Sequence, residues 1–172
     1  MSFSFLDLNQ TTRDEMIVEI TNDITNNQLY LSKRLSSNGV AGYPELLKMA
    51  VQQHDEVWLA EQLMQQNRLN QIEQTSRGQR KVPINAAITL AEGEFNRYYM
   101  RALCRIAIID GLKLEVYRAK AVDINRTESQ NKIGQIIDPK TLLDDLRDSI
   151  GVDSALGLPA GPNSGLSIKL VN

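Results

Sequence analysis

The sequence predicts an α+β fold: a helical N-terminal part, then a small helix and strand unit with two to three short strands. A mainly helical fold is the alternative. Three observations predict it. Residues 89–111, TLAEGEFNRYYMRALCRIAIIDG, repeat apolar side chains at three- and four-residue steps, the period of one helix face. The following LKLEVYRAKAV alternates with a period of two. The last residues, LSIKLV, alternate in the same way. Helix and strand patterns interleaved in one segment fit α+β architecture.

Taken in order, Phe3, Phe5 and Leu6 form an apolar hook that packs on its own chain or, in an oligomer, on a neighbour. Thr11 or Thr12 caps a helix reaching about residue 26, with Met16, Ile17, Ile20 and Ile24 on its apolar face. Glu15, Glu19 and Asp23 lie on another side. LYLSKRL reads as a short strand or a tight helical turn. Ser36 to Gly39, with Gly42, mark a loop. Pro44 then suits the first position of a second helix. That helix breaks or kinks at Gln52-Gln-His-Asp and continues to about Gln74, although its apolar spacing thins after Met64.

Three regions follow: a helical N-terminal region at 1–75, a basic linker at 76–85 and an α+β region at 86–172. The linker holds Arg77, Arg80 and Lys81 beside Gly78 and Pro83. It reads as a flexible connection or as a basic tongue that touches an acidic neighbour. In the central helix Ile88, Ala91, Phe95, Tyr98, Ala102, Ile106 and Ile109 share a face, beside Tyr99 and Leu103. Thr89 and Glu92 have capping-box spacing, and Gly111 suits the left-handed position past the end. The alternating run after it puts Arg118 and Lys120 on one side of a strand. Residues 123–131 read as loop, and Ile133, Ile136 and Ile137 as a second short strand. Asp138-Pro139 is a helix start, with Leu142, Leu143 and Leu146 inward and Asp144, Asp145 and Asp148 outward. Gly151 ends that helix, and residues 157–165 form a Gly/Pro loop before the terminal strand.

Charge is divided unevenly. Residues 1–75 carry five Lys/Arg and ten Asp/Glu, and residues 76–172 carry fourteen and eleven, so −5 and +3 sum to the net −2. This asymmetry predicts polar contact between segments or subunits. It is too weak for a dedicated nucleic-acid binder. Arg97, Arg101 and Arg105 step by four and repel one another by a few tenths of a kcal/mol per pair. Carboxylates of the same fold, Glu94 included, compensate them, or an anionic partner such as phosphate does. These three, with Arg118, Lys120, Arg77, Arg80 and Lys81, are the candidate interface or anion-binding residues.

Chemistry-bearing patterns are weak. Cys104 is the single cysteine, which excludes an intrachain disulfide and a zinc cluster, and reads as a small buried hydrophobe. His54 is the sole histidine, so no multi-histidine metal site exists. It reads as a surface histidine beside Asp55 and lacks the elbow motif of a serine hydrolase. GLPAGPNSG lacks the Gly-Lys-Ser/Thr ending of a phosphate loop and leads into a strand. Glu92 and Glu94, two apart on a helix, do not face one another. Asp144, Asp145 and Asp148 read as a solvated face before a cation site. No signal peptide is expected from MSFSFLDLN, and no apolar run is long enough to span a bilayer. No catalytic residue, metal or cofactor is assigned.

LAEGEFNRYYMRALCRIAI, LEVYRAKAV, RTES and GVDSALGLPAGPNSGLSIKL resemble an uncharacterised family associated with structural-gene neighbourhoods of tailed phages and prophages. The resemblance covers roughly the C-terminal half, and LYLSKRL, YPELLKMA and HDEVWLAEQL belong to the same pattern. It implies a virion component, a head–tail connector or a capsid-associated protein, assembled in the host cytoplasm. It implies a homo-oligomer that meets portal, capsid or neck proteins and contacts DNA, with no chemistry of its own. A cytoplasmic nucleic-acid-binding or regulatory module using the arginine ridge is the alternative.

Overall fold

The computed structural model describes residues 2–65, 67–122, 127–151 and 164–172. Helix α1, Gln10–Thr25, is capped by Asn9, whose side chain accepts from the Thr12 amide. Thr12 does not cap. It is buried, and its hydroxyl donates to the Asp7 carbonyl at 2.6 Å. Asn is as good a cap as Ser and better than Thr, and it stands one turn ahead. The Leu29 to Leu35 run forms neither regular strand nor helix. Its end makes one antiparallel bridge, Leu35 to Leu69.

Helix α2, Ser37–Gln53, begins well before Pro44, which lies inside it. Ser36 caps it, accepting from the Gly39 amide at 3.1 Å. The glycine there serves a close approach rather than a loop. A Cβ on Gly39 would stand 2.0 Å from the Arg68 carbonyl oxygen. The expected break after Gln52 is present. Asp55 accepts from the Trp58 amide at 2.9 Å and starts α3, Glu56–Met64.

Where a linker is expected, two strands form an antiparallel hairpin, β1 (Ile72–Thr75) and β2 (Gly78–Lys81). Its turn is closed by Thr75, whose hydroxyl donates to the Gly78 carbonyl and accepts from the Arg77 amide. Gly78 sits at φ +108°, a conformation that costs glycine little.

Helix α4, Ala86–Asp110, starts ahead of Thr89, so Thr89 and Glu92 form no capping box. Glu92 instead pairs with Lys120. Gly111 ends the helix in the left-handed region, at φ +70°. Strand β3, Lys113–Arg118, follows, then the single turn α5, Thr127–Gln130, and the short β4, Ile136–Ile137. Helix α6, Pro139–Asp148, starts at Asp138 as expected, and Leu142, Leu143 and Leu146 are buried. Strand β5, Leu166–Val171, pairs antiparallel with β3 in a three-stranded sheet of order β4-β3-β5. Residues 123–126 of the expected loop and residues 157–163 of the Gly/Pro loop lie outside the described residues. The fold is therefore α+β, with six helices and two small sheets among the described residues.

Helix α4 is the core element. Helices α1, α3 and α6 and strands β3 and β5 all pack on it. Eighteen of its 25 residues are buried, far more than one face. Its period-marked residues are mostly inside, but Ile88 and Ile109 are exposed at its two ends. Enclosure also buries polar side chains. Asn96 donates to the Leu166 carbonyl at 3.0 Å and accepts from the Ser167 hydroxyl at 2.7 Å, stitching α4 to β5.

Phe3 and Phe5 of the N-terminal hook pack on their own chain, whereas Leu6 is exposed. Phe5 lies against Phe95 and Tyr99, with ring centroids 5.3 and 4.7 Å away. The Phe3 amide donates to Glu56 at 2.9 Å, and the Ser4 amide to the Ala119 carbonyl at 2.8 Å.

Gly39→Ala is expected to destabilise the fold by about 1–3 kcal/mol, because α2 must shift from Arg68. Gly42→Ala, with open space around its Cβ position, is expected to stabilise or leave stability unchanged. Urea midpoints of the two variants check this pair.

Candidate functional site

The arginine ridge is an internal structure. Arg101, 1% exposed, donates from Nε to Glu19 at 2.7 Å and from its two terminal nitrogens to Asp23 at 2.6 and 2.8 Å. Tyr98 donates to the same Asp23 oxygen at 2.7 Å, and its ring lies under the Arg101 guanidinium. Arg105 pairs with Glu15 and, at 3.5 Å, with Glu19. Arg147 on α6 reaches Glu19 as well, through Nη2 at 2.5 Å and Nε at 3.1 Å. Arg97 is buried beside Glu94, at 3.4 Å. Carboxylates of the same chain thus compensate the ridge. Arg97 and Arg101 are not placed to meet an outside anion.

The helix period explains the match. Glu15, Glu19 and Asp23 step by four along α1 as the arginines step by four along α4. Where the helices pack, Glu15, Glu19 and Asp23 meet Arg101 and Arg105, while Arg97 pairs along its own helix with Glu94. Burial raises the Glu19 carboxyl pKa, but the Arg147 and Arg101 contacts outweigh it and hold it below its usual 4.5. Burial likewise works against the Arg101 charge, and Asp23 and Glu19 overcome it. At Glu94 burial prevails over Arg97 and Arg101, and the carboxyl is raised.

Arg118 ends β3, and Lys120 lies two residues beyond it rather than on the strand as expected; both are engaged within the chain. Arg118 donates to the Ser164 carbonyl at 2.7 Å and to Gln130 at 3.2 Å. Lys120 pairs with Glu92 and lies over the Phe3 ring.

The remaining candidates, Arg77, Arg80 and Lys81, sit on the hairpin and are exposed. Arg80 pairs with Glu73 at 2.6 Å, and Arg34 pairs with the same carboxylate at 2.7 Å. Arg77 and Lys81 have no ion-pair partner among the described residues. At the hairpin root lies an open cleft of about 310 Å³, lined by Leu63, Met64, Leu69, Val82, Pro83 and Ile84 and in similar measure by the polar Asn67, Arg68, Asn70 and Gln71. Ile84 is 99% exposed, and Met64 and Ile72 are also largely exposed. The sequence gives little warning of this surface. Only Ile72 and Val82 are apolar across the hairpin, too few for an alternating strand signal.

Other singled-out residues have plain roles. Cys104 is buried, and burial pushes its thiol up. His54 stacks on Trp58, with ring centroids 4.3 Å apart. Asp144 pairs with Lys140 at 2.7 Å, and Asp145 accepts from Ser149 at 3.1 Å. Among the described residues, no group of three or more His, Cys, Asp or Glu side chains is placed to hold a metal. No described helix is long and apolar enough to cross a membrane. Set against family models, curated proteins and solved structures, the chain matches none.

Arg101→Ala is expected to cost about 3–5 kcal/mol, because it leaves buried Asp23 without an ion-pair partner among the described residues and removes one of the cations on Glu19. Arg105→Ala, partly exposed, is expected to cost under about 1 kcal/mol. Denaturant titration of both separates the two environments. A lowered folded pKa at Glu19 contributes stability above its unfolded value and loses it as pH falls through the folded one. Melting temperature is therefore expected to drop below about pH 4.5, with a shallower acid limb in Glu19→Gln. A Glu19→Gln acid limb as steep as that of the parent protein would remove this assignment.

Proposed function

We propose that this chain is a non-enzymatic virion assembly protein of a tailed phage, a head–tail connector or a capsid-associated subunit. It acts by contacts with copies of itself and with portal, capsid or neck proteins. The observation that carries this reading is the hairpin. It is a two-stranded ribbon, a unit that has marginal stability alone, held to its own chain mainly at its root. Exposed cations run along it, and exposed apolar side chains surround its base. Arms of this kind gain order and buried area when a neighbouring subunit receives them.

The body behind the ribbon suits the same role. Its central helix is enclosed, the phenylalanines of its N-terminal hook are docked, and buried Arg101, Glu19 and Asp23 are paired across elements. A rigid body with a projecting arm is the form that subunit packing uses. The nucleic-acid reading has less support, because it relied on a ridge whose Arg97 and Arg101 are inside. It has only the hairpin cations left as phosphate contacts.

Light scattering of the purified chain, alone and with a tailed-phage portal protein, tests the reading. The expected outcome is a discrete oligomer or a complex with the portal ring. Mass spectrometry of native particles is expected to find the chain in fixed stoichiometry. A chain that stays monomeric, binds no portal ring and is missing from particles would overturn the proposal.

A further inference from the structure

We propose that the outer edge of β2 receives an extended, acidic segment of a neighbouring protein subunit as a third strand, with an apolar side chain of that segment seated in the cleft at the hairpin root. This rests on the assembly reading for the source of the segment.

The register identifies the open groups. Residues facing across an antiparallel pair alternate between hydrogen-bonded and non-bonded positions. The Val82 amide donates to the Gln71 carbonyl at 2.9 Å, so 71 and 82 are a bonded pair. The pairs Glu73↔Arg80 and Thr75↔Gly78 share that phase. Ile72↔Lys81 and Gln74↔Gln79 have the other phase. The main-chain groups of Gln79 and Lys81 therefore point away from β1. No described strand lies on that side.

The opposite edge is different. Near its root the Asn70 amide donates to the Arg34 carbonyl at 2.8 Å, and the Ser36 amide to the Arg68 carbonyl at 2.9 Å. Arg34 then clamps Glu73 from that flank. The ribbon thus has one edge occupied at its root and one edge open along its length.

Charge selects the occupant. Residues 72–81 carry Arg77, Arg80 and Lys81 against Glu73 alone. Cations on an open edge discourage pairing with an identical edge, because like charges then meet. A second copy's β2 is therefore disfavoured, and an acidic strand is favoured. Backbone pairing supplies affinity in this mode, and a side-chain pocket supplies register. The cleft, where exposed Met64 and Ile84 stand with Leu63 and Val82 beside polar Asn70 and Gln71, is that pocket.

The probe is a fluorescein-labelled peptide alternating Glu and Val and ending in Leu, titrated into the full chain. A peptide with Lys in place of Glu and a short DNA duplex are the comparators. The acidic peptide is expected to bind, more weakly as salt rises, and to slow exchange of the Gln79 and Lys81 amides. Gln79→Pro removes an outward amide without touching the β1–β2 ladder and is expected to abolish binding. The double variant R77E/K81E is expected to weaken it about tenfold while leaving the Glu73 pairs in place. Circular dichroism and melting curves check that both variants fold, and Gln74→Pro on the opposite edge is expected to leave binding intact. No binding, equal binding of the Lys peptide, preferential binding of DNA, or binding indifferent to Gln79→Pro would each overturn the proposal. If the chain still assembles with itself or a portal ring when Gln79→Pro and R77E/K81E are in place, the edge proposal fails and the assembly reading stands. If the peptide binds as expected while the chain assembles with nothing, the edge is real and the assembly reading fails.

Discussion

The carboxylate of Glu19 is the point on which the tertiary structure turns. It is fully buried, and it accepts from Arg101 of α4 and Arg147 of α6, with Arg105 close by. Three helices meet at one charge. A carboxylate that deep costs several kcal/mol to desolvate unless its oxygens are well bonded. The planar guanidinium forks of Arg101 and Arg147 satisfy them in one geometry only. The network therefore contributes as much to the register of α1 on α4 as to stability. A slip of one turn would leave several buried ions unpaired.

That register organises the rest. With α1 fixed along one side of α4, the apolar residues Met16, Ile20, Phe95 and Leu103 close a common core. The N-terminal hook then lies over Phe95 and Tyr99, and β5 is stitched to Asn96. The ledger of charge follows as well. The acidic first half and basic second half meet inside the molecule, at Glu15, Glu19 and Asp23 with Arg101, Arg105 and Arg147. What remains outside is the hairpin, with its uncompensated cations and its open edge. The partition separates a body whose polar groups are largely occupied from an arm with groups to offer.

Much of the fold was legible in the residues. The period of α4, the left-handed Gly111, the Asp138-Pro139 start and the alternation of β3 and β5 are local features, and each reflects backbone geometry within a few residues. The misreadings were local as well. Pro44 looked like a helix start because proline suits the first turn, yet Ser36 caps more strongly and the helix runs through. Gly39 looked like a loop signal because glycine is common there. Its reason is the carbonyl of Arg68, far along the sequence, which no local pattern contains.

The sequence by itself determined the secondary elements with strong periods, the buried character of Cys104, and the need for something to neutralise three stacked arginines. Tertiary structure alone decided what neutralises them. Spacing of four on α1 and on α4 was visible in both segments, but the facing of the two ridges depends on packing, and packing is non-local. The hairpin was decided in the same way. Its residues are too polar to announce strands. They pair because bonds from 34–36 to 68–70 and the Arg34–Glu73 clamp hold the root in place.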